Sequence, residues 1–301
     1  MAASSDHRAD ASLVDDAARA APFDVALLRR RRRRGRFAPD FLEELAGEEL
    51  LARLADLLAA EAAGDAGERV PVMTEDVAAP VLVTGPAWLA ARVGQVLPQA
   101  RVVRADWLAP RGGEESAGGG VKTVVLEDHA RLPFADDSFG LVMHLFDLAL
   151  VNDLPGALME LRRVLRSGAP LLLAMPGGET LRELRAAWRA AELAQAPGRE
   201  PGWRVAPFMD MRKLAQMAGM AGLRAVVTDV ERLTVRHADA LRLMAELRAF
   251  GWSNPLRARP RVPVSRTLLA RAAAHYETHF ADDDGRVRAT FELVYLSARA
   301  G

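Results

Sequence analysis

The sequence predicts an α/β fold, a mostly parallel sheet with helices on both faces and an N-terminal helical extension. Three observations predict it. Short Val- and Leu-rich runs recur between residues 80 and 175, stretches of helical periodicity separate them, and Gly, Pro, Asp or Asn mark most of the joins. At 301 residues the chain suffices for one large α/β unit or two average domains.

Residues 1–21 are polar and Ala-rich and read as a disordered N-terminus. Residues 22–69 form a basic, helical extension. In it Phe23 to Leu28 leads into six consecutive arginines, Arg29 to Arg34, and a helix over 39–63 places Leu42, Leu45, Leu50, Leu54, Leu57 and Leu58 near helical spacing. GDAGER at 64–69 breaks that helix. From 70 to 301 the pattern is that of the α/β domain, with strands expected near 80–84, 101–105, 121–126, 139–146 and 169–175. LVMHLFDLAL is apolar almost throughout, as a parallel strand buried on both faces must be. The helix Leu154–Leu165 is expected to close on Ser167-Gly168. The last third carries helical insertions at about 197–222 and 238–280, with helices at 208–220, 238–250 and 264–280 and strands at 223–235 and 287–297. NPLRARPRVPVS, with three prolines, reads as a surface connection.

Hydrophobic residues make up 50% and charged residues 27%, which excludes a wholly disordered, collagen-like or coiled-coil chain. Lys+Arg and Asp+Glu are 40 each, so no basic excess points to nucleic acid, and none is expected as a partner. Cysteine is absent, which excludes disulfides, thiolate metal sites and cysteine nucleophiles. No apolar run approaches the roughly 18 residues of a membrane span. Asp6, Asp10, Asp15 and Asp16 are wrong for a transit peptide. A soluble, cytoplasmic protein is expected.

In an open α/β sheet the ligand site lies at the carboxyl ends of the strands, where their order reverses. The first strand–helix turn, VLVTGPAWLA, offers one glycine, Gly85, where a nucleotide-binding loop has several; its plainer reading is a permissive turn. Asp106 ends the second strand, where a carboxylate can accept from a ribose diol, and Glu127-Asp128 ends the third, where one can take an adenine amino group. Each acid alone reads equally well as a cap or a solvated loop residue. GGETLRELR follows the fifth strand directly, so Glu179 and Thr180 stand at the carboxyl edge with the backbone N–H groups of an opening helix. Together with Asn152 and Asp153 after the fourth strand they are the candidate lining of an acceptor pocket. The plainer reading there is a capping box of Thr180 and Glu183.

The arginine run can bind phosphate, nucleic acid or anionic lipid, or be simply a solvated face. His275 and His279 are spaced to share a metal, but Tyr276 stands where a zincin has Glu, and no metal site is expected. A calcium loop at DDDGRVRATFE would need ligands at Phe280 and Phe291, which rules it out. No G-x-S-x-G elbow supports a hydrolase.

LPFADDSFGLVM followed by VNDLPGALMELRRVLRSGAPLLLAMPGG resembles the strand-four to strand-five core of class I S-adenosylmethionine-dependent methyltransferases. GGETLRELR, the long stretch APFMDMRKLAQMAGMAGLRAVVTDVERLTVRHADALRLMAELRAFGWSN, and HYETHFADDDGRVRATFELVYL are similar, nearly in register, to one family within it. That family is the complex I assembly factors of methyltransferase-like type and their proteobacterial relatives; FDVALLRRRRRR resembles its opening. More distant relatives include the malonyl-carrier-protein methyltransferases of biotin synthesis. The resemblance spans roughly residues 22 to 298. It implies a Rossmann-like class I methyltransferase fold and an S-adenosylmethionine site using Gly85, Asp106, Glu127 and Asp128. It also implies methyl transfer, or hydroxylation of an arginine on a NADH dehydrogenase subunit during assembly. The partner is then a respiratory-complex subunit, met through Arg29–Arg34 or the C-terminal half.

Three positions depart from the family pattern. Val83-Thr84-Gly85-Pro86-Ala87 stands where Asp-Leu-Gly-Cys-Gly is usual, Ala149-Leu150 where His-Trp is usual, and Gly140 where an acid is usual. The lost glycines predict weak or absent affinity for S-adenosylmethionine. A second expectation is therefore a pseudoenzyme that acts as an assembly or scaffold protein, and a third is a methyltransferase on a carrier protein or small molecule.

Overall fold

A computed structural model of the chain describes residues 21–35, 41–63, 79–107, 121–249 and 251–301. The expected disordered N-terminus, the break at 64–69 and the glycine-rich stretch 110–120 lie outside the described residues. The chain divides into two compact units. One comprises the described residues of Met1–Arg36 with Glu183–Ala206 and Ala238–Val287; the other comprises those of Phe37–Arg182 with Pro207–His237 and Arg288–Gly301.

The second unit holds a seven-stranded sheet of order β3-β2-β1-β4-β5-β7-β6. Its strands are β1 (Val81–Thr84), β2 (Val102–Asp106), β3 (Lys122–Val125), β4 (Leu141–Leu145), β5 (Pro170–Pro176), β6 (Leu223–His237) and β7 (Val287–Ala300). β1 runs parallel to β2 on one side and β4 on the other, with Val81 opposite both Val102 and Leu141. Flanked on both sides, β1 and β4 bury every residue, which is why both read as unbroken apolar runs. β3 pairs only with β2 and leaves Lys122 and Val125 exposed, as an edge strand does. β7 is antiparallel to β5 and departs from the otherwise parallel pattern.

Helices α1 (Val25–Gly35), α2 (Phe41–Ala62), α3 (Ala87–Val96), α4 (Leu154–Val164), α5 (Arg182–Gln195), α6 (Met211–Met220), α7 (Ala240–Ala249) and α8 (Arg266–Phe280) complete the fold. In the sheet-bearing unit α2 packs on β4 and β5 and against α3, which covers β1 and β2; α4 packs against α6, which lies along β6. The fold class expected from the sequence is the one observed. Among the described residues no helix is long and apolar enough to cross a membrane.

Two local expectations change. α4 ends at Val164, because Leu165 turns extended and bridges to Phe139; Gly168, at φ 76°, instead makes the turn into β5 and donates to the Ala300 carbonyl at 2.9 Å. The proline-rich connection is partly buried. In the first unit Leu256 is 6% exposed and bridges to Phe23, the Arg257 N–H donates to Pro22 at 2.8 Å, and Arg31 donates to the carbonyls of Ser253 and Asn254 at 2.8 and 2.7 Å. One arginine of the run is thus a fastener, while Arg30 and Arg33 remain exposed.

Candidate functional site

The strand order turns back between β1 and β4, which makes the carboxyl ends of β1, β2, β3 and β4 the natural ligand position. Gly85 follows β1 at φ 140°, a conformation that L side chains rarely adopt. A Cβ there would lie 3.2 Å from Leu145 Cβ and 3.8 Å from Leu89 Cδ2, so apolar side chains from β4 and α3 pack closely on this glycine. Pro86 precedes α3 without any side-chain cap.

Arg104 and Asp106 are two residues apart on β2 and so share a face. The Arg104 guanidinium pairs with the Asp106 carboxylate, and its Nε donates to the Gly85 carbonyl at 2.9 Å. Both side chains are buried, 5% and 10% exposed. The candidate ribose acceptor is therefore held by an arginine of its own strand. Among the described residues, then, the ribose candidate is already engaged by a cation and a leucine packs on the first-turn glycine.

The same strand ends also carry a buried aromatic and imidazole cluster. Trp107 and His129 have ring centroids 5.0 Å apart, His129 and His144 5.3 Å, and His129 Nε2 is 3.9 Å from an Asp147 carboxylate oxygen. These four residues come from the ends of β2, β3 and β4, and all are at most 5% exposed. Sequence reasoning passed over them, and over Arg104. The available signal was charge or imidazole inside otherwise apolar strands, in RVVRAD and LVMHLF, because buried polar side chains need partners.

The remaining candidates lie elsewhere or are committed to structure. Glu127 and Asp128 are exposed, and Asp128 accepts from the Ala130 N–H at 3.0 Å in a tight turn. Asn152 is half-buried; Asp153 caps α4, accepting from the Gly156 N–H at 2.8 Å. Glu179 pairs with Arg182 at 3.2 Å. Thr180 is buried and exchanges two hydrogen bonds with the Glu292 backbone on β7, both 3.0 Å. The N–H groups anticipated for an acceptor are occupied as well: Gly177, Thr180, Leu181 and Arg182 donate to the carbonyls of Glu292, Gly177, Thr290 and Glu179. α5 starts only at Arg182.

Among the described residues no group of three or more His, Asp or Glu is arranged to hold a metal. His275 and His279 stack with ring centroids 4.0 Å apart, and burial followed by the neighbouring imidazole lowers the His275 pKa. The first unit also contains a crevice of about 460 Å³ between α5 and residues 258–268. None of the candidates lines it, and the Glu192 carboxylate in its wall is engaged by Arg204 at 2.6 Å.

Residues 94–173, from the end of α3 to β5, match the family model described as a methyltransferase domain. The chain is methyltransferase-like. It is 35% identical over 172 residues to the arginine-hydroxylase NDUFAF5, mitochondrial, of Danio rerio, covering 57% of this chain and 53% of that one. The Homo sapiens protein of the same name is 34% identical over 172 residues, covering 57% and 49%. The malonyl-[acyl-carrier protein] O-methyltransferase of Halorhodospira halophila is 39% identical over 171 residues, covering 57% and 55%. The chain thus spans about half the length of the curated relatives it matches.

Proposed function

We propose that this methyltransferase-like chain serves the assembly of respiratory NADH dehydrogenase in the cytoplasm by binding a protein partner, without turning over S-adenosylmethionine. The observation that carries this reading is the closed first turn. Gly85 is the only glycine of VTGPAWLA, and Leu145 and Leu89 pack closely on it. A cofactor that needs close backbone approach finds one glycine there, already packed by two leucines. Similarity to proteins named arginine-hydroxylase supports a protein, rather than a metabolite, as the partner. The exposed members of the arginine run and the C-terminal half are the surfaces proposed to meet it.

The test pairs two measurements. A strain lacking the protein is scored for NADH dehydrogenase assembly with and without the wild-type chain, and the purified chain is titrated with S-adenosylmethionine by calorimetry. Rescue without saturable heat is expected. One-site binding in the low micromolar range, about 7–8 kcal/mol, overturns the cofactor-free part. Failure of rescue overturns the assembly part.

A second reading is favoured by the acids that persist at the ends of β2 and β3, Asp106 and Asp128. It is an enzyme that uses S-adenosylmethionine for arginine hydroxylation, or for methyl transfer to a protein, carrier-protein or small-molecule acceptor. It requires the same calorimetry to show binding, and Asp106→Ala to weaken it.

A further inference from the structure

We infer that the Arg104 side chain is a built-in occupant of the nucleoside position at the end of β2, and that truncating it opens a site for adenosine. The inference rests on the reading above, in which the cofactor edge is closed.

In doubly wound sheets the carboxylate that takes the ribose hydroxyls stands about twenty residues beyond the first-turn glycine, as Asp106 does beyond Gly85. A ribose diol offers that carboxylate O–H donors. Arg104 offers it N–H donors from within the chain, and turns a further N–H onto the Gly85 carbonyl at 2.9 Å. The planar guanidinium has five donors in a fixed fork, so one side chain can bridge the ends of two adjacent strands. The rest of β2 is Val102, Val103 and Ala105, all buried, and a cation placed in such a strand must bring its counter-charge with it. Arg104 and Asp106 therefore define each other.

Removing the guanidinium takes the paired cation from a buried carboxylate and vacates space beside the first turn, and a vicinal diol is a complementary donor for that carboxylate. The other half of a methionine-bearing ligand gains nothing, because Leu145 and Leu89 still pack on Gly85. The substituted protein should accept the nucleoside and be indifferent to what its 5′ carbon carries.

The test uses the full chain and adenosine as the probe, by calorimetry and by ligand-induced shift of the unfolding midpoint. Wild type should give no saturable heat and no shift. Arg104→Ala should bind adenosine at one site, at least about tenfold tighter than the wild-type limit, with S-adenosylmethionine within about threefold of adenosine. Should the single variant be too unstable to purify, Arg104→Ala with Asp106→Asn removes the carboxylate charge and keeps an acceptor; it too should bind and be stabilised by adenosine. Arg104→Ala with Asp106→Leu should fold and not bind. Folded variants that keep an acceptor at 106 and still ignore adenosine overturn the inference while leaving the proposed function standing. Tight S-adenosylmethionine binding by wild type overturns both.

Discussion

The two ends of the sheet's carboxyl edge hold their buried carboxylates in opposite ways. At the β1–β2 end Asp106 depends on Arg104, and both are inside the protein. At the β5–β7 end the Glu292 side chain is 7% exposed, but its cation, Arg232, is 64% exposed, and Oε1 also accepts from the Glu179 N–H at 3.4 Å. The Glu292 backbone is clipped separately by Thr180. One carboxylate is paired with a buried guanidinium of its own strand, and the other with a solvent-facing guanidinium and a backbone N–H. A carboxylate paired with a buried cation is strongly coupled to it, whereas one paired with a solvent-exposed cation tolerates its loss. The first arrangement behaves like a bound ligand and the second like a fastening.

The largest expected effect is at the first end. Arg104→Ala should lower unfolding free energy by about 3–5 kcal/mol in urea denaturation, because it takes the paired cation from a buried carboxylate. Adding Asp106→Leu should recover most of that loss. Full additivity of the two changes would remove the distinction between the ends.

At the other end Thr180→Val should cost about 1–3 kcal/mol, since the Glu292 N–H and C=O both lose a buried partner. Thr180→Ser keeps the hydroxyl and should cost clearly less. Arg232→Gln should change stability by about 1 kcal/mol or less, and 0.5 M salt should shrink even that. An Arg232 effect as large as that of Arg104 would mean that exposure of the cation does not decide the coupling.

Glu160, on α4, extends the comparison and adds a pH test. Its hydrogen bonds from Arg163, at 2.8 Å, pull its pKa below the usual value, opposed by burial and helped by the Leu132 N–H. A depressed carboxylate contributes fully above its unfolded pKa of 4.5, and that contribution is lost as pH falls through the lower folded value. Glu160→Gln should therefore flatten the acid limb of the stability profile below about pH 4.5 and leave its shape at neutral pH unchanged. An unaltered acid limb would show that Arg163 does not hold Glu160 in its charged form.

Strand positions were legible in the sequence to within a few residues, because each central strand is an apolar run bounded by turn residues: 101–105 was expected where Val102–Asp106 is found, and 169–175 where Pro170–Pro176 is found. Asp106 at a strand end was legible for the same reason. That Arg104 reaches back to Gly85 was not, since it depends on β2 pairing with β1 in a specific register, Val83 opposite Arg104. The bond of Thr180 to Glu292 was hidden for a related reason: the two are 112 residues apart, and local spacing says nothing about so distant a partner. Burial of Leu256 was hidden by proline-rich composition, which correctly signals a loop but cannot tell that another segment, here Phe23, lies across it.

The approach of Leu145 to Gly85 also bears on how reversible the closure of the turn is. A glycine at position 87 would weaken the start of α3 and would leave Leu145 packed on Gly85. Shrinking Leu145 alone would leave a void in a fully buried strand, a costly change with no compensating gain. Each change is costly on its own. Selection acting one residue at a time meets a barrier in that direction, and a lineage that has closed the turn in this way tends to keep it closed. Libraries built to reopen it should vary residues 87 and 145 together.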